Sequence, residues 1–355
     1  MSVDATPAII IDNGSHTLKV GFTGDDDPTG IFRNLVHLSE GADGSKVRTV
    51  GGVAPNENGR IISPLQRGVP CDWDAMESVW EYTFKDVLKV APEDHRVLLT
   101  DRPLSARANR EKVAQIMFEK FSTPATYVSM QSTLALYGTG RTSGTVVDVG
   151  DGTTSVVPIY KGTPATGAIA SVDLAGCDMV DYLADALHLS DREMAREIME
   201  KVCAVSADLG KETVSSVDYK TANGTAVTIG AERYRCGEAL FNPSVIGHPK
   251  IKPLPELIVE SVAACKEITR KTLYAYIVLA GGTTQLSGFA ERLQQALTAL
   301  VPSEYRCKVV TSQHPALNVW AGGCMVAQSP MFQQSWVTKE EYEEHGADII
   351  HQKCV

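Results

Sequence analysis

Two stretches decide the fold: Ile9-Ile10-Ile11-Asp12-Asn13-Gly14-Ser15-His16-Thr17 and Thr145-Val146-Val147-Asp148-Val149-Gly150-Asp151-Gly152-Thr153. Each reads as a buried strand that ends in D-x-G, then a tight turn, then a second apolar strand, Leu18 to Phe22 in the first copy and Ser155 to Tyr160 in the second. Apolar, β-branched runs bounded by Asp and Gly predict a β-hairpin with one carboxylate at its tip. Two such hairpins 136 residues apart predict a duplicated domain whose two tips face one ligand.

The tips favour a polyphosphate. Glycine at the turn permits positive φ and lets backbone N–H groups approach an anion without a Cβ in the way. Ser15 adds a hydroxyl donor, and Lys19 can return its ammonium to the same phosphates. Asp12 and Asp148 would repel that anion unless a cation lay between, which implies Mg²⁺ held largely through water. A single D-x-G is also an ordinary hairpin turn, because Asp and Gly are common turn residues; two copies on matched strands weigh against that reading. A third feature, Leu279-Ala280-Gly281-Gly282-Thr283-Thr284, follows a strand and leads to a helix expected near Ser287. A Gly-Gly turn feeding a helix N-terminus suits a nucleoside or its phosphates.

Around these motifs the chain reads as α/β. Ala8 to Ile11, Val97 to Leu99, Thr145 to Val147 and Tyr276 to Leu279 are expected strands, alternating with amphipathic helices. Asp74 with Glu77, and Ser190 with Glu193, are expected capping boxes, and Ser105 is expected to cap the helix that carries Val113, Ile116, Met117 and Phe121. The length, 355 residues, is enough for two domains. A net charge of −10 argues against a nucleic-acid coat or an anionic-membrane binder, because both need a basic face. The expected partners are proteins or metal-chelated anions. The first eighteen residues lack the pattern of a secretory signal, and no run of about 20 apolar residues predicts a membrane span. Eight scattered cysteines without a C-x-x-C pair are expected to be free thiols in a reducing cytoplasm.

A wider set of runs now carries a resemblance. Asp12-Asn13-Gly14-Ser15, Val20-Gly21-Phe22, Gly24-Asp25-Asp26, Ala108-Asn109-Arg110-Glu111-Lys112, Gln115-Ile116-Met117-Phe118-Glu119, Gly150-Asp151-Gly152, Val157-Pro158-Ile159-Tyr160, Asp173-Leu174-Ala175-Gly176, Gly281-Gly282-Thr283-Thr284, Phe332-Gln333-Gln334 and Lys353-Cys354 all resemble actin, over Ala8 to Val355. The chain looks like a divergent actin, shorter than actin and closer to the eukaryotic protein than to the remote bacterial filament proteins. The resemblance implies the duplicated nucleotide-binding fold shared with Hsp70 and sugar kinases, with two lobes (four subdomains) around an ATP cleft. One lobe would be 1–136 plus 317–355, with a small subdomain at about 34–64; the other would be 137–316, with a small subdomain at about 177–252.

It also implies site residues. Asp12, Gln131 and Asp148 would hold hydrated Mg²⁺ and position the attacking water. Gly14, Ser15, His16, Leu18 and Lys19 would bind the ATP or ADP phosphates from one side, and Gly150, Asp151, Gly152 and Thr153 from the other. Gly176, Arg196, Glu200, Gly281, Gly282 and Thr283 would surround the nucleoside. The implied activity is a cytoplasmic, cytoskeletal ATPase that polymerises with itself and meets other cytoskeletal proteins, with no nucleic acid and no membrane insertion.

Departures from actin qualify this. Ser155 stands where actin has a histidine beside the attacking water, and Val149 where actin has a serine in its second phosphate loop. Met199 and Ala316 replace lysines that flank adenine, which relaxes base selectivity toward GTP. The stretch Leu38 to Lys46 is shorter and more polar than actin's intersubunit loop, and a further deletion lies between Leu187 and Ser190. Tyr137, Gly140 and Thr142 resemble actin's protein-binding cleft, whereas Ser329, Met331 and Ser335 do not. Slow hydrolysis and a filament of different strand architecture are therefore expected. A subunit that binds ATP permanently within a larger complex is the alternative, and a small-molecule kinase is disfavoured by Gln131 where a carboxylate base would stand. A chaperone ATPase is disfavoured further.

Overall fold

The computed structural model describes residues 6–41, 46–51, 59–206 and 215–354. The central positions of the polar stretch Leu38 to Lys46, residues 42–45, lie outside the described residues. Two compact units divide the chain, residues 1–141 with 317–355 and residues 142–316.

The first unit is organised by a six-stranded sheet, in the order Val337–Thr338, Ala125–Met130, Val97–Asp101, Ile9–Asn13, Thr17–Phe22, Gly30–Arg33. Ile9–Asn13 runs parallel to Val97–Asp101 and antiparallel to Thr17–Phe22. Strands covered on both faces read as continuous apolar runs rather than alternating ones. Ile9, Ile10, Ile11, Val97, Leu98 and Leu99 are indeed all fully buried. A smaller three-stranded sheet, Lys46–Val50, Val36–Glu40 and Arg60–Ile62, belongs to the same unit.

The second unit repeats the plan. Gly144–Val149 runs antiparallel to Thr154–Tyr160 and parallel to Ile277–Ala280, which in turn runs parallel to Val309–Val310. Thr154–Tyr160 carries the short strands Thr163–Pro164 and Ala170–Val172 at its outer side. The match extends to register: Asp12 pairs with Lys19 and Asn13 with Leu18 in the first hairpin, while Asp148 pairs with Ser155 and Val149 with Thr154 in the second. In both copies the carboxylate sits seven residues before its cross-strand partner, the geometric form of the repeat read from the sequence.

The helices depart from expectation at their ends. Asp72, not Asp74, caps the helix Trp73–Tyr82 by accepting from Ala75 N–H at 2.9 Å. Asp191, not Ser190, caps Arg192–Val202 through Glu193 N–H. Ser105 does not cap its expected helix: Arg107–Gln115 starts from Ala106 without a side-chain cap. In the first two helices an Asp one or two residues from the expected position supplies the cap. Two helices also widen into π turns, at Thr83–Leu88 and Ile116–Lys120. Of the apolar positions expected on the first, Val79, Trp80, Phe84 and Leu88 are buried and Val87 is only partly so, while Val113, Ile116, Met117 and Phe121 of the second are all buried. The eight cysteines are free, five of them buried and Cys71 exposed.

Candidate functional site

The first hairpin places Asp12 at the end of its strand, 3% exposed, with Lys19 Nζ 3.7 Å from Oδ2. Its other oxygen, Oδ1, accepts from Thr100 Oγ1 at 2.9 Å and from Gln131 Nε2 at 3.1 Å. Gln131 opens the helix Gln131–Tyr137, and its amide nitrogen also lies 3.2 Å from the Asn13 carbonyl and 3.4 Å from Thr100 Oγ1. An amide nitrogen can only donate, so three acceptors around it fix the orientation of the group and reserve Oε1 for an outside donor such as water.

The loop that follows, Gly14 to His16, is held from below. Buried Asn34 donates Nδ2–H to the Gly14 carbonyl at 2.9 Å and its own N–H to the His16 carbonyl at 2.8 Å. Asn13 is clamped too, donating Nδ2–H to the Thr100 carbonyl and accepting from Trp80 Nε1 at 3.1 Å. Ser15 Oγ accepts from Gly68 N–H at 3.1 Å, which leaves its own proton for a ligand. Gly68 lies in the tight turn between Leu65–Gln66 and Val69–Pro70, where Arg67 and Gly68 both have positive φ, the conformation that suits a two-residue hairpin loop. Leu18 is fully buried, so its side chain serves the core and only its backbone can face phosphate.

The glycines work differently from the expectation. Neither Gly14 nor Gly150 has positive φ. Gly14 is required for space, since a Cβ there would stand 2.4 Å from the Thr17 carbonyl oxygen. Gly281 is left-handed, with φ +85°, and a Cβ there would stand 2.2 Å from the Val149 carbonyl oxygen and 2.6 Å from Asp148 Oδ1.

That contact belongs to the second half-site. Thr283 Oγ1 donates to the Gly150 carbonyl at 2.9 Å, and Gly176 N–H, at the start of the helix Gly176–Ala186, donates to the same oxygen. Cys177 N–H donates to the Asp151 carbonyl at 2.8 Å, and the loop closes on itself through Gly150 N–H and the Thr153 carbonyl. Arg196 Nη1 sits 2.7 Å from Asp151 Oδ1, both side chains mostly buried. The structure thus brings Asp148, Gly150, Asp151, Thr153, Gly176, Arg196, Gly281 and Thr283 into one connected set. Glu200, one turn beyond Arg196, is exposed to solvent, and Met199 is packed into the core of the unit rather than presented at its surface. The Gly281-Gly282 turn feeds a short 3₁₀ turn, Gly282–Gln285, before the helix Phe289–Leu300, so the expected helix start near Ser287 falls two residues early.

The two halves differ in charge. Opposite Asp12 stands the cation of Lys19; opposite Asp148 stands Ser155, a buried hydroxyl. In the first unit a single carboxylate with an ammonium nearby is too few ligands to dehydrate Mg²⁺, and it suits a hydrated cation that arrives with phosphate oxygens. The donor set therefore fits a metal nucleotide rather than a free ion. Among the described residues the one group of three His, Cys, Asp or Glu within metal-ligand reach lies elsewhere, at Glu111, Asp348 and His351. Its members already have partners, His351 with Glu111 at 2.8 Å and Asp348 with Arg107 at 3.0 Å.

A family model described as actin matches residues 3–191 and 187–355. The chain belongs to the actin family. It is accordingly an actin-like nucleotide-binding protein of the two-lobe α/β class, and members of the actin family generally bind nucleotide with a divalent metal and act as ATPases. No helix among the described residues is long and apolar enough to cross a membrane.

The sequence names Asp12, Gln131, Asp148 and both loops as candidates; Thr100, Asn13, Asn34, Trp80 and Gly68, which the structure shows bonded to one another, to Asp12 or to the first loop, were not among them. Thr100 lies within the apolar strand Val97–Asp101, and Asn34 directly follows the strand Gly30–Arg33. The one signal that points to Thr100 is its place at the C-terminal end of a parallel strand, where open α/β sheets present their ligand-binding residues.

Proposed function

We propose that this actin-family protein binds Mg-ATP through both hairpin loops, hydrolyses it slowly and assembles into nucleotide-regulated filaments. The observation that carries the reading is Asp12, buried yet ringed by Thr100, Gln131 and Lys19, beside the Gly14–Ser15 turn. When bound, the metal would neutralise phosphate charge. Lys19 would add a point charge, Ser15 Oγ–H and the loop N–H groups would hold phosphate oxygens, and Gln131 Oε1 would orient a water in line. Phosphoryl transfer to water needs positioning more than a strong base, so an amide suffices at that place.

Ser155 sets the rate. Its hydroxyl is buried on the strand opposite Asp148, where actin has a histidine, and losing a positioned proton relay typically costs ~10²–10⁴ in rate. The same replacement favours the second reading, a non-polymerising subunit of a larger complex with permanently bound ATP. The polar stretch Leu38 to Lys46 supports a filament whose strands differ from actin's, because each apolar side chain no longer buried at a contact removes ~1.5–3 kcal/mol. Self-association, other cytoskeletal partners and a cytoplasmic location follow from this reading, and the replaced base-flanking lysines extend it to GTP.

Phosphate release measured across protein concentrations distinguishes the two readings. A filament former gives release that rises above a critical concentration, with polymer that pellets only with nucleotide and appears as filaments in electron micrographs. Flat release and no pellet would support the complex subunit, and an actin-like two-stranded helix would overturn the proposed strand architecture.

A further inference from the structure

The duplication supplies an internal control for the metal-facing carboxylates. In the first unit the parallel register Ile11 to Leu99 sets Thr100 beside Asp12; in the second, Val147 to Leu279 sets Ala280 beside Asp148. Thr100 and Ala280 are thus equivalent positions on equivalent strands, and only the first carries a hydroxyl. We propose that Thr100 is the positioning residue for Asp12, fixing which of its oxygens faces the metal nucleotide. This rests on the Mg-ATP reading above and deepens it.

Proton direction makes the case. Asn13 N–H lies 2.9 Å from Thr100 Oγ1 and can only donate, so the hydroxyl accepts there and gives its single proton to Asp12 Oδ1, also at 2.9 Å. Gln131 Nε2 donates to the same Oδ1 at 3.1 Å. With Oδ1 taken by two donors, Oδ2 is the oxygen turned toward Lys19, and it has the remaining capacity to accept from a hydrated cation. Thr100 is 4% exposed, so it acts through Asp12 rather than on a ligand. The Asn13 side chain, bonded to the Thr100 carbonyl and to Trp80, keeps the two strands in this alignment. Ala280 offers Asp148 a methyl group at the matching place, so Asp148 is oriented by other means and the two carboxylates are not interchangeable.

The test uses the full chain with Thr100→Val, which removes the hydroxyl at nearly constant volume, and Thr100→Ser, which keeps it. ATP binding is titrated by nucleotide fluorescence with and without Mg²⁺, and Mn²⁺ affinity of the ADP complex is read by electron paramagnetic resonance. Thr100→Val should need about tenfold more metal for half-saturation, equivalent to ~1.4 kcal/mol, while metal-free nucleotide affinity stays within about twofold. Thr100→Ser should restore wild-type metal dependence. Equal metal dependence in wild type and Thr100→Val would overturn the proposal. So would a Thr100→Ser protein as impaired as Thr100→Val, which would show that packing of the methyl group matters instead. If Thr100→Val does not fold, Thr100→Ala replaces it with the same expected split. A wild-type protein without metal-dependent ATP binding would overturn the parent reading too, and is told apart from a failure of the Thr100 proposal because it shows in the unmutated chain.

Discussion

Replacing Gly281 by alanine should damage the second half-site, whereas the same change at its neighbour Gly282 should not. Gly281 has φ +85°, and its Cβ would stand 2.2 Å from the Val149 carbonyl oxygen and 2.6 Å from Asp148 Oδ1, inside any real contact. Gly282 has ordinary φ and nothing within 4 Å of its Cβ. A left-handed alanine costs ~1–2 kcal/mol in backbone strain. Relieving the clash by shifting backbone adds about 1–3 kcal/mol, as for overpacking in a core. The two together come to roughly 2–5 kcal/mol, and at ~2–4 °C per kcal/mol for a unit of this size the melting temperature should fall by several degrees at least. Because the intruding methyl group displaces Asp148, the extra stabilisation from added Mg-ATP should shrink as well. Differential scanning calorimetry of wild type, Gly281→Ala and Gly282→Ala, each with and without Mg-ATP, reads both effects. Equal stability of the two variants would rule this out, since the whole difference comes from one contact and one dihedral angle.

Two further outcomes follow from the thiols and the C-terminal clamp. Cys71 is exposed, whereas burial pushes the thiols of Cys324 and Cys354 up to about 12, so a maleimide should label Cys71 rapidly in the native protein and reach those two only on unfolding. Mass spectrometry of a labelling time course checks this, and Cys354 reacting as fast as Cys71 would contradict it. Burial alone would raise the Glu341 carboxyl, but Lys353 and the Thr338 N–H outweigh it and hold the group below its ordinary 4.5. A depressed native value means stability that is present above 4.5 and is lost as pH falls through the lower native value; with both groups partly exposed it amounts to less than ~1 kcal/mol. Melting curves of wild type and Glu341→Gln should therefore converge as the pH is lowered past 4.5, and parallel curves would rule the clamp out.

The strands and their duplication are legible in the chain without its three-dimensional structure. Ile9 to Ile11 and Thr145 to Val147 announce buried strands because a strand covered on both faces must be apolar throughout, and D-x-G after each announces the turn. These are local properties, written in neighbouring residues. Helix ends were less legible, since Asp72 and Asp191 competed with equally suitable caps one or two positions away. The tertiary structure alone decided what surrounds Asp12. Thr100 lies 88 residues from it and Gln131 119; Trp80 is 67 residues from Asn13, and Gly68 53 from Ser15. No pattern in the chain encodes such pairs, because strand order and register bring them together. The same register sets a threonine beside one carboxylate and an alanine beside the other, so a repeat that looks symmetrical in sequence acquires two unequal halves.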